Sequence, residues 1–347
     1  MDKFEKILSN DAIYINNKVD FSELCGKKIL ITGASGLIGI NFLMSLKVFS
    51  RGKGKKNPPI VTAVFNSEIP NCFKRILNFK NLHIKKGDIT NIDFVRSIKG
   101  ADYIIHAAGY GQPGKFLIDK IKTIAINTSS TISLLDKLNR NGKFLFISSS
   151  EVYSGLTNTP FRENQIGTTN TTHPRSCYIE GKRCGETICH TYYEMGKMVK
   201  SARLSLAYGP GTKIGDMRVL NSFIEKGLSG KIEMMDRGEA KRTYCYIRDA
   251  VEMMWNVLFF GTNPIYNVGG FSVISIVSLA KKIGKKLDAK VEMSKMDQKP
   301  IGAPDNVRLD MKIGLKEFKK NKNEYVTLDE GLDKTIAWQK ELYKHNE

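Results

Sequence analysis

The 347 residues contain six cysteines, at positions 25, 72, 177, 184, 189 and 245, and no two of them form a CxxC pair. That absence excludes a disulfide-framed secreted scaffold and predicts a reduced compartment. Cys184, Cys189 and His190 lie close in the chain, but their spacing matches no common zinc pattern, so no metal is expected. The sequence also lacks any long uncharged apolar run of the length that crosses a bilayer. Its first residues, MDKFEKILSNDA, carry charge where a signal peptide needs an apolar core, so the expected location is cytoplasmic, without a membrane partner. Arginine is scarce: 54 basic residues face 35 acidic ones, giving +19, yet only 13 of the 54 are Arg. Lysine is a point charge without the planar fork that grips phosphate backbones. The excess is spread as +11 over 1–170, +4 over 171–280 and +4 over 281–347, with RGKGKK (51–56) as its densest run. Nucleic acid is therefore not the expected partner. No internal repeat is visible.

What is present is ordinary globular material, 41% apolar and 26% charged, with short β-branched runs alternating with longer helical segments. The runs are KKILIT (27–32), IVTAVF (60–65), LHIKKG (82–87), DYIIHAA (102–108) and KFLFISS (143–149). Between them, apolar residues recur at helical spacing in 36–49, around 92–100 and through 119–140. A further long helix is expected after Tyr178, then a strand over 201–209, then less regular α+β material. Strands separated by helices imply right-handed crossovers and a parallel sheet covered on both faces. The expected fold is α/β, a Rossmann-type doubly wound parallel sheet with a smaller α+β C-terminal substrate lobe. Its divisions are a loosely helical N-terminal leader (1–26), a dinucleotide-binding domain (27–204) and a mainly substrate-binding lobe (205–347), some of which could return to the sheet.

Directly after the first strand stands Thr32-Gly33-Ala34-Ser35-Gly36-Leu37-Ile38-Gly39. Glycines there let the backbone approach a pyrophosphate, and the next helix aims its free N–H groups at those oxygens. Between a strand and a helix, this loop reads as a dinucleotide site. Tyr178 and Lys182 stand four apart, on one face of the expected helix. A phenol is a poor base at neutral pH, and adjacent cationic charge from Lys182 favours the phenolate. Tyr178 could then take a proton from a sugar hydroxyl as hydride leaves its carbon. Roughly a helix length upstream, Ser148-Ser149-Ser150-Glu151 ends the fifth strand, where a hydroxyl of Ser149 or Ser150 can reach the same oxygen. Glu151 adds an acid or base for chemistry beyond simple oxidation and re-reduction. The alternative from another class is a non-enzymatic RNA-binding Rossmann protein.

TGASGLIG resembles the cofactor loop of the extended short-chain dehydrogenase/reductase superfamily, within which lies the NAD-dependent epimerase/dehydratase family. The resemblance assigns Gly33, Ser35, Gly36, Leu37, Ile38 and Gly39 to the cofactor. It places Asp88 and Ile89 at the adenine and Ala107, Ala108 and Gly109 along the cofactor's inner edge. Where relatives often carry an acid for the adenosine ribose, this chain has Phe65-Asn66-Ser67; Lys74 and Arg75 follow. NAD is expected, through Asn66, with NADP as the alternative.

Pro174–Arg183, PRSCYIEGKR, is similar to the PRACYDEGKR segment of UDP-glucuronate decarboxylases (UDP-xylose synthases), matching at eight of ten positions. Ser149–Tyr153 resembles that family's TSEVY, and Ile121-Lys122-Thr123 with Asn127-Thr128 its IKTxxxNT segment. By this resemblance Lys122 meets the cofactor, while Asn127, Tyr192, Arg218 and Arg242 meet a nucleoside diphosphate sugar. Ser205–Gly211, SLAYGPG, departs from the family's FNTFGPR: the Asn is missing and Gly211 replaces Arg. The Ser-Ser-Glu triplet also resembles the Thr-Ser-Glu of GDP-mannose 4,6-dehydratases. The resemblance thus implies 4-keto nucleotide-sugar chemistry, with decarboxylation first and 4,6-dehydration or 4-epimerisation as alternatives. It further implies a homodimer pairing the helices near 119–140 and 178–197, and a role in polysaccharide precursor synthesis.

Overall fold

The computed structural model describes residues 3–293, 302, 304 and 306–344. The chain runs through α1 (Lys3–Lys18), β1 (Lys28–Thr32), α2 (Leu37–Arg51), β2 (Ile60–Phe65), α3 (Asn71–Ile76), β3 (Leu82–Lys86), α4 (Ile92–Arg96) and β4 (Ala101–His106). It continues as α5 (Pro113–Phe116), α6 (Lys120–Asn127), α7 (Ser129–Leu135), β5 (Leu138–Ser149), α8 (Ser176–Glu194) and β6 (Met198–Leu204). Then come β7 (Ala207–Tyr208), α9 (Val219–Leu228), β8 (Lys231–Glu233), β9 (Lys241–Tyr246), α10 (Ile247–Phe260) and β10 (Ile265–Val268). The last are β11 (Ser272–Ser275), α11 (Ile276–Leu287), β12 (Lys290–Glu292), β13 (Asn306–Val307), α12 (Lys312–Glu317) and α13 (Leu328–Lys344).

Seven strands form one parallel sheet in the order β10-β6-β5-β4-β1-β2-β3. The last four residues of β1 are all buried, as a strand covered on both faces requires. Strand order reverses between β1 and β4, and the crevice beyond their carboxyl ends is where such sheets bind ligands. The second lobe holds a four-stranded sheet, with β9 flanked by β11 and β13 and also paired with β7, and the short pair β12-β8. Both α10 and β10 return to the main sheet: Trp255 of α10 packs edge-on against Phe42 of α2, with ring centres 4.7 Å apart.

Three expectations need correction. Residues 1–26 are no loose leader, because α1 buries Phe4, Leu8, Ala12 and Ile15 in the main core. Asp11 accepts a hydrogen bond from Tyr246 at 2.7 Å, tying that helix to the second lobe. The helical stretch over 119–140 is broken at Thr128, and from Leu138 onward it is strand. The cause is a run of hydroxyls: Thr128, Ser129 and Thr131 donate back to the carbonyls of Ile124, Ala125 and Asn127, a competition that bends helices. Finally, the strand expected over 201–209 divides. Leu206 adopts φ +34°, so β6 stays in the main sheet while β7 crosses to β9.

Candidate active site

The glycine loop closes tightly at the end of β1. Gly33 has φ +67°, and a Cβ there would lie 2.5 Å from the carbonyl oxygen of Ala107 and the nitrogen of Ala108. Only glycine lets this turn press against the end of β4. Helix α2 starts from Gly36 without a side-chain cap, which leaves its first N–H groups for an anion. Gly39 packs the helix onto the loop, since a Cβ would fall 2.4 Å from the Gly33 carbonyl oxygen. Leu37 is buried, while Ser35 and Ile38 are half-buried beside the turn. Behind it, Thr32 Oγ1 and His106 Nδ1 are 2.8 Å apart, and His106 Nε2 lies 3.0 Å from the Ile126 carbonyl. Burial, with the Lys182 charge, pushes His106 down to about 3. The ring is therefore neutral, donating to Ile126 and accepting from Thr32.

At the far end of the cleft Asp88 and Lys122, both expected on the cofactor, form an ion pair of 2.5 Å. Burial raises the Asp88 carboxyl, but bonds from Lys122 and Thr90 outweigh it and hold it below the usual range. Ile89 is buried, and Asn66 is exposed just past β2. Ala107 and Ala108 are half-buried and Gly109 is exposed along the end of β4. Lys74 is exposed, and the side chain of Arg75 lies outside the described residues.

The reactive set gathers where β5 meets α8. Ser149, the last residue of β5, hydrogen-bonds Tyr178 and accepts from the N–H of Glu151 at 3.2 Å. Ser150 opens the following turn and is half-buried. Tyr178 is 8% exposed and stacks on Phe116, with ring centres 4.6 Å apart. Burial pushes its hydroxyl up to about 12, against the Ser149 bond and the Arg175 and Arg218 charges. Lys182 stands 5.8 Å from the Tyr178 ring centre but donates to the Ile147 carbonyl at 2.6 Å. Its own burial pulls it down to about 7. Desolvation dominates both groups in this arrangement, and Lys182 is not among the leading charges that oppose it at Tyr178. Lys182 faces Gly109 instead: a Cβ on that glycine would lie 3.7 Å from its Nζ.

Glu151 sits beside this set. Its Oε1 accepts from Arg175 Nη2 at 2.6 Å, and its Oε2 from Ser154 at 3.4 Å. Burial raises the carboxyl above its ordinary range, although Arg175 and Arg242 oppose it. Arg242, on β9, thus acts on Glu151 through its charge. Arg218 is clamped by Asp216, with Nε 2.9 Å and Nη2 2.5 Å from its oxygens, while its charge reaches Tyr178. A cavity of about 340 Å³ is lined in part by Ser154, the partner of Glu151, and by Thr157, Thr169, His173 and Asn306.

Two expected substrate contacts lie elsewhere. Asn127 is fully buried, donates to the Thr123 carbonyl at 2.7 Å and faces Gly181 in the seam between α6 and α8. Tyr192 lies fourteen residues beyond Tyr178 on the same helix, about 21 Å away along its axis, hydrogen-bonded to Asp136. The resemblance carries both positions over from a motif, and a motif does not say what a side chain packs against. Conversely, Arg175 and Phe116 belong to the site without having been picked out. Arg175 lies in the PRSCY run, whereas Phe116 carries no local signal.

Residues 29–269 match the NAD dependent epimerase/dehydratase family. The chain is 29% identical over 276 residues to UDP-glucuronic acid decarboxylase 6 of Arabidopsis thaliana, covering 79% of this chain and 78% of that one. It is 28% identical to UDP-glucuronic acid decarboxylase 1 of Xenopus tropicalis over 93% of this chain and 75% of the relative. Among solved structures, an epimerase from Methanothermobacter thermautotrophicus superposes with a TM-score of 0.81 at 21% identity, covering 95% and 96% of the two chains. The dTDP-glucose 4,6-dehydratase of Streptomyces venezuelae, solved with NAD, superposes at 0.78 and 21% identity, covering 92% and 98%. With its glycine cradle, its switch-point crevice and a family match spanning most of the described sheet, this chain belongs to the NAD-dependent epimerase/dehydratase family.

Proposed function

We propose that the chain is an NAD-dependent nucleotide-sugar enzyme that works through a 4-keto intermediate and decarboxylates UDP-glucuronate. The observation that carries this reading is the meeting of Ser149, Tyr178 and Lys182 with a carboxylate, Glu151, held beside them by Arg175. The residues present suit a dinucleotide. Gly33 and Gly36 shape a cradle at an uncapped helix start, the pair Asp88–Lys122 offers a polar end, and Lys182 faces Gly109 where a ribose hydroxyl would be held. NAD rather than NADP is part of the reading, supported by the NAD-bound structures the chain resembles. When bound there, the dinucleotide supplies the oxidation and later re-reduction of the sugar carbon C4.

Tyr178 enters the step as the phenolate, for which the positive charge of oxidised nicotinamide would offset part of its burial; it takes the C4 hydroxyl proton and returns it at the end, and Ser149 donates to the C4 oxygen. With a ketone at C4, a carboxylate on C5 is a β-keto acid. Its bond to C5 breaks, CO2 leaves, and the electron pair moves into the C4 carbonyl as an enolate whose oxygen Ser149 holds. Glu151 then delivers a proton to C5, a task suited to a carboxyl raised by burial. Arg218 and Arg242 contribute positive charge on the side of the second lobe, for an anionic sugar nucleotide. The same carboxyl could remove a C5 proton from a hexose, so 4,6-dehydration is the second reading; the Ser149-Ser150-Glu151 triplet favours it. Purified chain is incubated with NAD and UDP-glucuronate, and products are followed by mass spectrometry. The expected product is a pentose nucleotide plus CO2. Failure to lose CO2 overturns decarboxylation, and loss of water from a hexose nucleotide establishes the second reading.

The reading includes a homodimer. Ile121, Ile124 and Ile132 are 78%, 40% and 43% exposed on α6 and α7, beside α8; Leu134 and Leu135 pack inward instead. An exposed apolar stripe of this kind suits a second copy of the chain. The setting proposed is the cytoplasm, supported by unpaired Cys25, Cys177, Cys184, Cys189 and Cys245, with a role in supplying polysaccharide precursors. Among the described residues no helix is long and apolar enough to cross a membrane.

A further inference from the structure

Arg175 stands immediately before α8, three residues ahead of Tyr178, and is 7% exposed. Its Nη2 donates to Glu151 Oε1 at 2.6 Å, and its backbone N–H donates to His173 Nδ1 at 3.2 Å. Its guanidinium carbon lies 5.4 Å from the centre of the Phe116 ring, the ring that stacks on Tyr178 at 4.6 Å. One aromatic side chain therefore backs both the arginine and the tyrosine. A buried ion pair of this kind adds little to stability over well-packed apolar residues. Stability therefore does not account for a pair placed at the chemistry. The bond between Arg175 and Glu151 is monodentate and short on one oxygen, while the other oxygen has the weak Ser154 contact of 3.4 Å.

We propose that Arg175 is a positioning residue for the reaction: by holding Oε1 of Glu151 it fixes the carboxyl in one rotamer and reserves Oε2 for proton exchange with the substrate. This rests on the reading of Glu151 as the proton carrier given above. The groups facing Glu151 are the guanidinium groups of Arg175 and Arg242, the imidazole of His173, the hydroxyl of Ser154 and the phenol of Tyr178. Burial lifts the carboxyl, and Arg175 leads the charges that oppose it. Without that charge the carboxyl rises further, so any pH limb set by Glu151 moves to higher pH.

The test compares the full chain with Arg175→Gln and Arg175→Lys, using Glu151→Gln to subtract the Glu151 signal in infrared difference titrations. In Arg175→Gln the carboxyl midpoint is expected to rise by about one pH unit or more. In Arg175→Lys it stays closer to the parent. With UDP-glucuronate, kcat of Arg175→Gln is expected to fall about 10- to 100-fold, while KM changes less than about threefold. An unmoved midpoint with kcat within about twofold of the parent overturns the proposal. So does an unmoved midpoint with a steep rise in KM, which would make Arg175 a substrate contact. If the parent chain does not decarboxylate, the functional reading fails separately, and the infrared midpoint alone still decides whether Arg175 governs Glu151. Should Arg175→Gln not fold, Arg175→Met is read in its place: a carboxyl midpoint raised by about one pH unit or more upholds the proposal, and an unmoved midpoint overturns it.

Discussion

Burying the ammonium of Lys182 is unfavourable in itself, and its effect on stability has a definite sign. The group falls from 10.5 in the open chain to about 7 in the fold. The unfolded chain therefore binds a proton that the fold has shed, and stability rises with pH between those values. The destabilisation is full below about pH 7 and gone above the ordinary lysine range. Lys182→Met should accordingly raise the melting temperature by a few degrees at neutral pH, with the gain shrinking as pH rises toward 10.5. Scanning fluorimetry across that window checks it. Tyr178→Phe removes one hydroxyl. It should lower turnover by about 10²- to 10⁴-fold while changing urea stability by about 1 kcal/mol or less. At this scale the sequence is informative where chemistry sits on regular spacing. Ser149 closes a strand, and Tyr178 and Lys182 share a helix face. Arg175 has a nearby partner in Glu151, 24 residues upstream, but its support comes through Phe116, a residue that no local pattern marks.

Helix α8 carries Tyr178 and Lys182 and must lie close against β5 and α6 to aim them. Two glycines permit this. A Cβ at Gly185 would fall 2.5 Å from Phe146 Cζ and 2.7 Å from the Asn127 carbonyl oxygen, while Gly181 faces the Asn127 side chain. Gly185→Ala should therefore destabilise the fold by about 1–3 kcal/mol through overpacking, read as a lower urea midpoint with an unchanged slope. Lys182 would shift with the helix, so kcat should fall as well. β1, the glycine turn and α2 are legible as elements because a buried strand, a φ-positive glycine and a largely apolar, buried helix each leave a local mark. The break at Thr128 is harder to read. Its apolar spacing continues through α7, and the hydroxyl-to-carbonyl bonds that interrupt it become visible only in three dimensions.

For the whole molecule, the two lobes are bound by elements from both ends of the chain. α1 packs on α2, α10 and α13, and Tyr246 of the second lobe donates to Asp11. Removing residues 3–18 would expose Trp338, which packs edge-on against Phe4 with ring centres 5.0 Å apart. The proposed dimer makes a separate prediction. Ile121→Asp places a charge on a residue that is 78% exposed. It should convert dimer to monomer in light scattering while leaving the melting temperature of the monomeric fold nearly unchanged. A monomer peak from the unaltered chain would refute the pairing.

The sequence by itself determined the parallel α/β architecture, the glycine loop and the Ser–Tyr–Lys order, because periodicity, backbone freedom and helical spacing are local properties. Tertiary structure decided the rest. It placed α1 in the core, sent β7 to a second sheet, buried Asn127 between two helices and left Tyr192 far from the chemistry. It also set the charge states, since desolvation moves Tyr178 up and Lys182 down, and brought Arg175 onto Glu151. Burial and pairing depend on what packs against a residue, and that is a property of the assembled fold.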